Sequence, residues 1–574
     1  MPDLQTSFLN AVNARKAGNA ARSRELFNEL IREHPTCHEA HYMLGMLSAE
    51  LSDLTTAQKH LERAIELDKG NPEYLFKLGA VLLSLGRAEQ AVPILEEAVR
   101  EADETPALML TLGSACLAAV KLPDAERAFN RARELDPTAA EPGMGLLATL
   151  MASRRMEEAQ ALARQLAAAH PRRADVQARL AQTLERSNKL EEAAPAADAA
   201  LAINPNEPTA LGVRATLLQR AGKKEESIPV FRKAIDATTS TQERRDLSRS
   251  LGLVLDELER HEEAFPLFLK SKKTAAEIPA SSSMLASDVE RFIKACKREL
   301  TPGVVSTWHR PPPDARQPPV FFVGFPRSGT TLLEQVLGAH PRLVTTDEIE
   351  SIGACTEWVG QRAGRLDLAP AAYASLTDAE IIALRDRYWN RITAELGADA
   401  LAGKRLVDKH PMNTVNLFTA RRIFPDAKVI VSIRDPRDVI LSCFMHLSRT
   451  PMAVVYFKDL ESAARLYERV MGLWFHMRTA LGLPWIEVKY EDLVDDAEGT
   501  ARKVLDFLGE PWDDSVLRFT ERSRQKTMRS TSYQQVSQGL YTRAKGRWRA
   551  YEKHFGDAIE ILEPYVQALG YADR

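Results

Sequence analysis

The chain has 574 residues, with 76 Lys and Arg against 79 Asp and Glu and a formal net charge of −3 at pH 7. That length exceeds what one hydrophobic core sustains, so two or more domains are expected, and the balanced charge excludes a general polycationic nucleic-acid or membrane-surface protein. The five cysteines, Cys37, Cys116, Cys296, Cys355 and Cys443, are scattered without metal-ligand spacing, which argues against a zinc site and for a reducing compartment.

The amino terminus, Met1-Pro-Asp-Leu-Gln-Thr6, has no basic head followed by an apolar stretch, and no apolar run approaches the length of a membrane span. The expectation is a cytoplasmic protein. From near this terminus, small residues recur every 34 positions. Gly45, Gly79 and Gly113 form one lane, continued by Leu147, Ala181 and Ala215. Ala57, Ala91, Ala125, Ala159, Ala193 and Ser227 form a second, and Ala64, Ala98, Ala132, Ala200 and Ala234 a third, with Leu166 as its one large member. Pro35, Pro137, Pro171 and Pro205 punctuate the units, where a helix has to stop. A 34-residue helix–turn–helix period is the tetratricopeptide signature, and the small lanes are where helices must approach closely. Ser23 and Leu30 extend the lanes backward. Forward, the segment 236–243 shifts the register by about one turn before a last unit with Gly252 and Ala264. The period gives about seven units, an all-α solenoid over residues 1–277. By analogy of architecture such an array binds protein; the alternative is a structural or dimerising scaffold, which leaves a homodimer open.

Residues 278–318 read as a helix over Met284–Leu300 followed by a Pro-rich connector, either a stiff linker or a wrapped one. From Pro319 to the carboxyl terminus, short apolar strands alternate with helices. The predicted strands are Val320–Gly324, Arg405–Asp408, Lys428–Ile433 and Trp485–Tyr490. Helices are expected at Thr331–Ala339, Asp378–Glu395, Met412–Ile423, Pro436–Leu447, Leu460–Leu481 and Gly499–Leu508. This alternation predicts an α/β domain over 319–574 with a parallel sheet covered on both faces, and ligands beyond the carboxyl ends of its strands.

The first strand ends in Gly324-Phe-Pro-Arg-Ser-Gly-Thr-Thr331, a loop opening a helix, which turns backbone N–H groups toward an anion. A Walker A loop would have Lys where Thr330 stands; here the one cation is Arg327, inside the loop. Next comes an acidic cluster, Asp347, Glu348 and Glu350, which could equally be a helix N-terminal cluster favoured by the dipole. Val407-Asp-Lys-His-Pro-Met-Asn413 runs out of the end of the second strand, and Ser432-Ile-Arg-Asp-Pro-Arg-Asp-Val-Ile-Leu-Ser442 out of the end of the third. In the latter, a helix places Ser442 one turn beyond Asp438, and the planar fork of Arg434 suits phosphate oxygens. The alternative there is an Arg434–Asp438 cap pair.

Pro326-Arg-Ser-Gly-Thr-Thr331 with Ala339-His-Pro341, together with the Arg434…Ser442 motif, resembles sulfotransferases that use PAPS (3′-phosphoadenosine 5′-phosphosulfate). The resemblance is greatest to the tyrosylprotein branch and its bacterial relatives with tetratricopeptide repeats, and it covers Pro319 to about Tyr551. It implies a P-loop-like α/β fold, PAPS as cosubstrate and a hydroxyl acceptor such as a protein tyrosine; no metal is expected, because no carboxylate or Cys/His cluster has ligand spacing and the Walker lysine is absent. By this resemblance Arg327, Ser328, Gly329, Thr330 and Thr331 cradle the 5′-phosphosulfate, while Arg434 and Ser442 bind the 3′-phosphate. Glu348 matches the catalytic base, although Thr346-Asp-Glu-Ile349 departs from the family's Gly-Glu-Glu-Thr-like run and leaves Asp347 and Glu350 as competitors. Lys409 matches a Lys on the transferring group. His410 resembles the base of the small-molecule branch at a different spacing and ranks below Glu348. Tyr490, Ser532 and Arg547, the last in a basic-Trp run where the family has Lys, complete the nucleotide set. Two rivals stand beside this reading: a P-loop kinase, whose Walker-B-like Asp could only be Asp408 or Asp435, and a binding scaffold with an inactive second domain. A small-molecule, lipid or glycan hydroxyl is the alternative acceptor.

Overall fold

The structure, a computed structural model, describes residues 4–273, 281–364, 371–446, 451–519 and 544–572. The chain divides into two compact units, Met1–Thr238 and Thr239–Arg574. No helix among the described residues is long and apolar enough to cross a membrane, and all five cysteines are free thiols.

The first unit consists of seven antiparallel helical hairpins, from Leu4–Lys16 with Ala20–Glu33 to Pro208–Arg220 with Lys224–Ala237. Helix starts are set locally: Asn19, Asp53 and Asn71 accept N–H bonds at N-caps, and Pro72, Pro106 and Pro208 occupy first turns. The periodic lanes form the core. Ala57, Ala91, Ala125, Ala159, Ala193 and Ser227 are all fully buried. The glycine lane faces a large residue 16 positions on: a Cβ on Gly79 would lie 2.5 Å from Leu95, and one on Gly113 2.7 Å from the Phe129 ring. Where the lane carries Leu147 instead, the residue 16 further on is Ala163, so large and small change sides while the volume is conserved.

The second unit begins with one more hairpin, Thr241–Glu257 and His261–Lys273, followed by helix Ser281–Glu299. The Pro-rich connector is wrapped: Arg385 Nη1 donates to Pro312 O at 2.6 Å, Arg422 Nη1 to His309 O at 3.1 Å, and Trp308 is buried. The sheet is parallel, with strands β1 (Val320–Gly324), β2 (Leu343–Thr345), β3 (Arg405–Lys409), β4 (Lys428–Ile433) and β5 (Trp485–Lys489) in the order β2-β3-β1-β4-β5. Four strands lie where the sequence reading put them, and β2 is additional. All five β1 residues are buried, as expected of a central parallel strand. The register sets Phe322 against Lys409 and Gly324 against Ser432. Because the chain runs from β1 out to β2 and β3, then crosses to β4 and β5, the strand order reverses at β1, and a crevice opens beyond its carboxyl end.

Candidate active site

The loop after β1 is pinned from both flanks. Thr414 Oγ1 accepts from Gly324 N at 3.1 Å and lies 2.7 Å from Gly324 O, and Ser432 Oγ donates to Ser328 O at 2.8 Å. Two positions bend it: Arg327 at φ 70° and Gly329 at φ 97°. Gly329 is required, since a Cβ there would lie 2.6 Å from the Tyr490 ring. It precedes helix Thr330–Gly338, whose N-terminus no side chain caps, so its first N–H groups face outward as anion donors. Ser328 Oγ is buried with no hydrogen-bond partner.

Two arginines meet behind the loop. Arg327 Nε donates to Ser442 Oγ at 3.1 Å, and Arg434 Nη1 donates to Arg327 O at 3.3 Å. Burial, with Arg434 and Arg547 nearby, pulls the Arg327 guanidinium below its ordinary pKa. Arg434 is buried, its guanidinium carbon 5.0 Å from the centroid of the Tyr490 ring, and its Nε has no partner. It is 3.6 Å from Asp438, but that carboxylate mainly accepts backbone N–H groups, Gly546 N at 2.7 Å and Trp548 N at 2.9 Å. Asp438, in helix Pro436–Met445, therefore holds Gly546 and Trp548 of the basic-Trp run against that helix. Arg547 turns its fork to Asp256, at 3.0 and 2.6 Å, in the Thr241–Glu257 helix. Ser532 lies outside the described residues.

On the other side of β1, Lys409 is buried and places its Nζ 3.0 Å from Glu348 Oε1 and 3.1 Å from Asp347 Oδ1. Burial works against its charge, but Glu348, Glu334 and Asp347 outweigh it, and its pKa rises. Glu348 is exposed, with φ 59° and its backbone N–H on Lys409 O at 3.0 Å. The other two acids separate by partner. Asp347 shares Lys409, and Glu350 accepts from His410 Nε2 at 3.0 Å. Burial opposes the His410 charge, yet the bond to Glu350 prevails and raises its pKa, while the same bond lowers that of Glu350.

The two carboxylates open to a Walker-B reading are engaged within the protein. Asp408 is buried under Ser351, Tyr388 and Thr346 hydroxyls at 2.8, 2.8 and 3.1 Å. Asp435 caps helix Pro436–Met445 and accepts both ends of the Arg437 fork at 2.9 and 2.7 Å. Sequence reasoning missed Thr414, Ser432 and the amide-holding role of Asp438. A hydroxyl residue one strand over from a tight loop carries no local signal.

Residues 318–514 match the family model described as Sulfotransferase family. Residues 8–72, 149–208 and 213–278 match one tetratricopeptide-repeat model, and 49–112 another. The chain is 26% identical over 324 residues to an uncharacterised protein of Aquifex aeolicus (strain VF5), covering 56% of this chain and 41% of that protein. It is 27% identical over 260 residues to a putative protein-tyrosine sulfotransferase of Caenorhabditis briggsae, covering 44% of this chain and 88% of that one. Against protein-tyrosine sulfotransferase 1 of Danio rerio it is 28% identical over 264 residues, covering 44% and 72%. The chain thus spans less than half the length of the Aquifex protein and most of the two named sulfotransferases. It joins tetratricopeptide repeats to a sulfotransferase domain built on a parallel sheet.

Proposed function

We propose that this protein transfers the sulfuryl group of PAPS to a hydroxyl, with the tyrosine of a protein or peptide as acceptor. The observation that carries the reading is the loop after β1. Arg327 and Arg434 stand beside an uncapped helix N-terminus, Ser328 Oγ and Arg434 Nε are buried without partners, and Thr330 replaces the ATPase lysine. Buried donors left unmade are costly, and an oxyanion with several acceptor oxygens satisfies them. Such a group fits residues Arg327 to Thr331, with Arg434, Ser442 and Tyr490 on the nucleotide side; Ser532 and Arg547 join this set on the resemblance. Bound there, PAPS supplies an activated sulfuryl group whose transfer leaves negative charge on the 5′-phosphate.

Glu348 takes the acceptor proton on its carboxylate, which Lys409 Nζ orients at 3.0 Å. The Lys409 ammonium also offsets charge growing on the leaving phosphate. A small-molecule, lipid or glycan hydroxyl is the second reading, favoured by one observation: His410 is oriented by Glu350 and its Nδ1 is buried without a partner. A scaffold with an inactive second domain is the third. We assign the repeats of residues 1–277 to recruiting the protein acceptor, 278–318 to linking, and 319–574 to transfer. The five free thiols support a cytoplasmic setting.

The nucleotide test follows from Arg434 and Ser442. PAP (adenosine 3′,5′-bisphosphate) is expected to raise the melting temperature of the protein more than AMP or ATP with Mg²⁺, since stabilisation follows affinity for the folded state. Equal shifts for PAP and AMP would remove the 3′-phosphate assignment.

A further inference from the structure

Two further cations converge on the end of the helix that carries Ser442. One turn beyond Ser442, Met445 O accepts from Arg249 Nε at 3.0 Å, and the next residue, His446, accepts on its O from Lys272 Nζ at 2.6 Å. The same helix end touches the phosphate loop, with Cys443 Sγ 3.4 Å from Pro326 O and Arg327 Nε on Ser442. Arg249 and Lys272 come from the hairpin Thr241–Glu257 and His261–Lys273, which belongs to the repeat pattern by sequence and to the second unit by structure. Lys272 is 8% exposed, and its Nζ lies 5.8 Å from the Phe444 ring centroid.

Carbonyls at a helix C-terminus favour cations, and this accounts for one donor of each side chain. It leaves two of three on the ammonium and four of five on the guanidinium. No carboxylate forms an ion pair with either residue among the described residues. The groups facing Lys272 are Arg249, Arg245, His446 and Cys443; those facing Arg249 are Arg327, Lys272, His446 and Asp246. Asp246, the one carboxylate among these groups in the described residues, is on the Arg249 helix itself and accepts from Gln242. Five basic groups, Arg245, Arg249, Lys272, Arg327 and His446, thus gather at this helix end, and of these Arg249 and Lys272 have no carboxylate partner among the described residues, which an anion would supply.

We propose that Arg249 and Lys272 form, with Arg327, an oxyanion site that holds a phosphate or sulfuryl oxygen of the nucleotide donor. The inference rests on the donor reading above and extends it: the last repeat hairpin is part of the donor site. The charge state agrees, since burial and Arg249 bring Lys272 down to about 7. An arriving oxyanion favours the ammonium, so binding above that pH takes up a proton at Lys272.

The test is calorimetry of PAP binding to the full chain at pH 8 in two buffers of different ionisation enthalpy, where the nucleotide phosphates (second pKa about 6) are already ionised. The wild type is expected to take up a fraction of a proton. Lys272→Arg should keep the affinity and lose the uptake. Lys272→Gln and Arg249→Gln retain an N–H donor for the helix carbonyl and should bind about tenfold or more weakly, the scale of a charge-assisted bond. A purely capping role predicts lower melting temperatures with unchanged affinity and uptake, and that result overturns the inference. Should a Gln variant fail to fold, absence of wild-type uptake or its survival in Lys272→Arg overturns it as well. Inorganic sulfate separates the layers. If PAP does not bind but sulfate stabilises the wild type and not Lys272→Gln, the donor assignment falls and the anion site alone survives. No response to either ligand removes both.

Discussion

Arg327 and Glu348 both carry left-handed backbone torsions, φ 70° and 59°, which cost a non-glycine residue about 1 kcal/mol or more. Each is held there by bonds to the facing strand or loop, Glu348 N on Lys409 O and Arg434 on Arg327 O. That placement sets the first prediction. Glu348→Gln should lower transfer about a hundredfold to ten-thousandfold, the range for a positioned base, while PAP binding stays nearly intact. Arg327→Ala should lose binding as well as turnover, because its charge meets the anion in the ground state. Rates with PAPS and PAP calorimetry read both; if His410→Asn is the more damaging change and Glu348→Gln is tolerated, the base is His410 and the protein-tyrosine reading loses its support. A second residue-level prediction concerns His446. Burial, with Arg327, Arg249 and Lys272, lowers its imidazole pKa from 6.5 to about 3. The unfolded chain therefore binds more protons between those values, and folding stability from this group falls as pH drops through that window. Relative to wild type, His446→Gln should gain about 1–2 kcal/mol between pH 7 and pH 5, read by urea melts at both values; a pH-independent difference would contradict the assignment.

At the scale of elements, helix Pro436–Met445 organises the site. Its first turn carries Asp438, which accepts the amides of Gly546 and Trp548; its last full turn carries Ser442, and the carbonyls beyond receive Arg249 and Lys272. Arg437 adds a cation–π contact, 4.0 Å from the Trp548 ring centroid. Asp438→Asn leaves one acceptor oxygen where two amides need two. It should speed hydrogen exchange at Gly546 and Trp548 and weaken PAP binding through Arg434, which lies on Ala544 O. Exchange unchanged at both amides would mean that the segment is held by the Trp548 side chain alone.

At the scale of the whole molecule, the hairpin Thr241–Lys273 packs on the sulfotransferase half. Asp256 binds Arg547 at 2.6 Å and the Tyr551 hydroxyl at 2.7 Å, and the Phe265 ring lies 5.5 Å from that of Phe444 and 3.8 Å from His554. A chain beginning at Thr239 should melt cooperatively and bind PAP like the full protein, while losing sulfation of a protein acceptor recruited by the repeats. One beginning at Ser281, which keeps helix Ser281–Glu299 and the wrapped connector, exposes Phe444 and strips Arg547 and Tyr551 of Asp256. Its melting temperature should be lower by several degrees, on the scale of about 2–4 °C per kcal/mol for a unit of this size. Equal melting temperatures for the two truncated chains would show that the hairpin contributes nothing to this half.

The sequence by itself determined whatever is written locally or periodically. The 34-residue lanes are read in register because every unit must solve the same close approach, as Gly79 against Leu95 and Gly113 against Phe129 show. β1, its bent loop and the following helix were legible because an apolar run, two glycines and a helix start lie within a dozen residues. What only the tertiary structure decided are pairings across long stretches of chain. β2 has three residues and no pattern of its own; it exists because β3 offers it a ladder. The resemblance points to Glu348 and leaves Asp347 and Glu350 as competitors, and only the folded chain puts Asp347 and Glu348 together on Lys409 and Glu350 on His410. The hairpin that carries Arg249 and Lys272 looks like any other repeat until Met445 and His446, some 170 to 200 residues away, supply the carbonyls that receive them. Periodicity specifies which face of a helix is buried, and only the folded chain specifies what buries it.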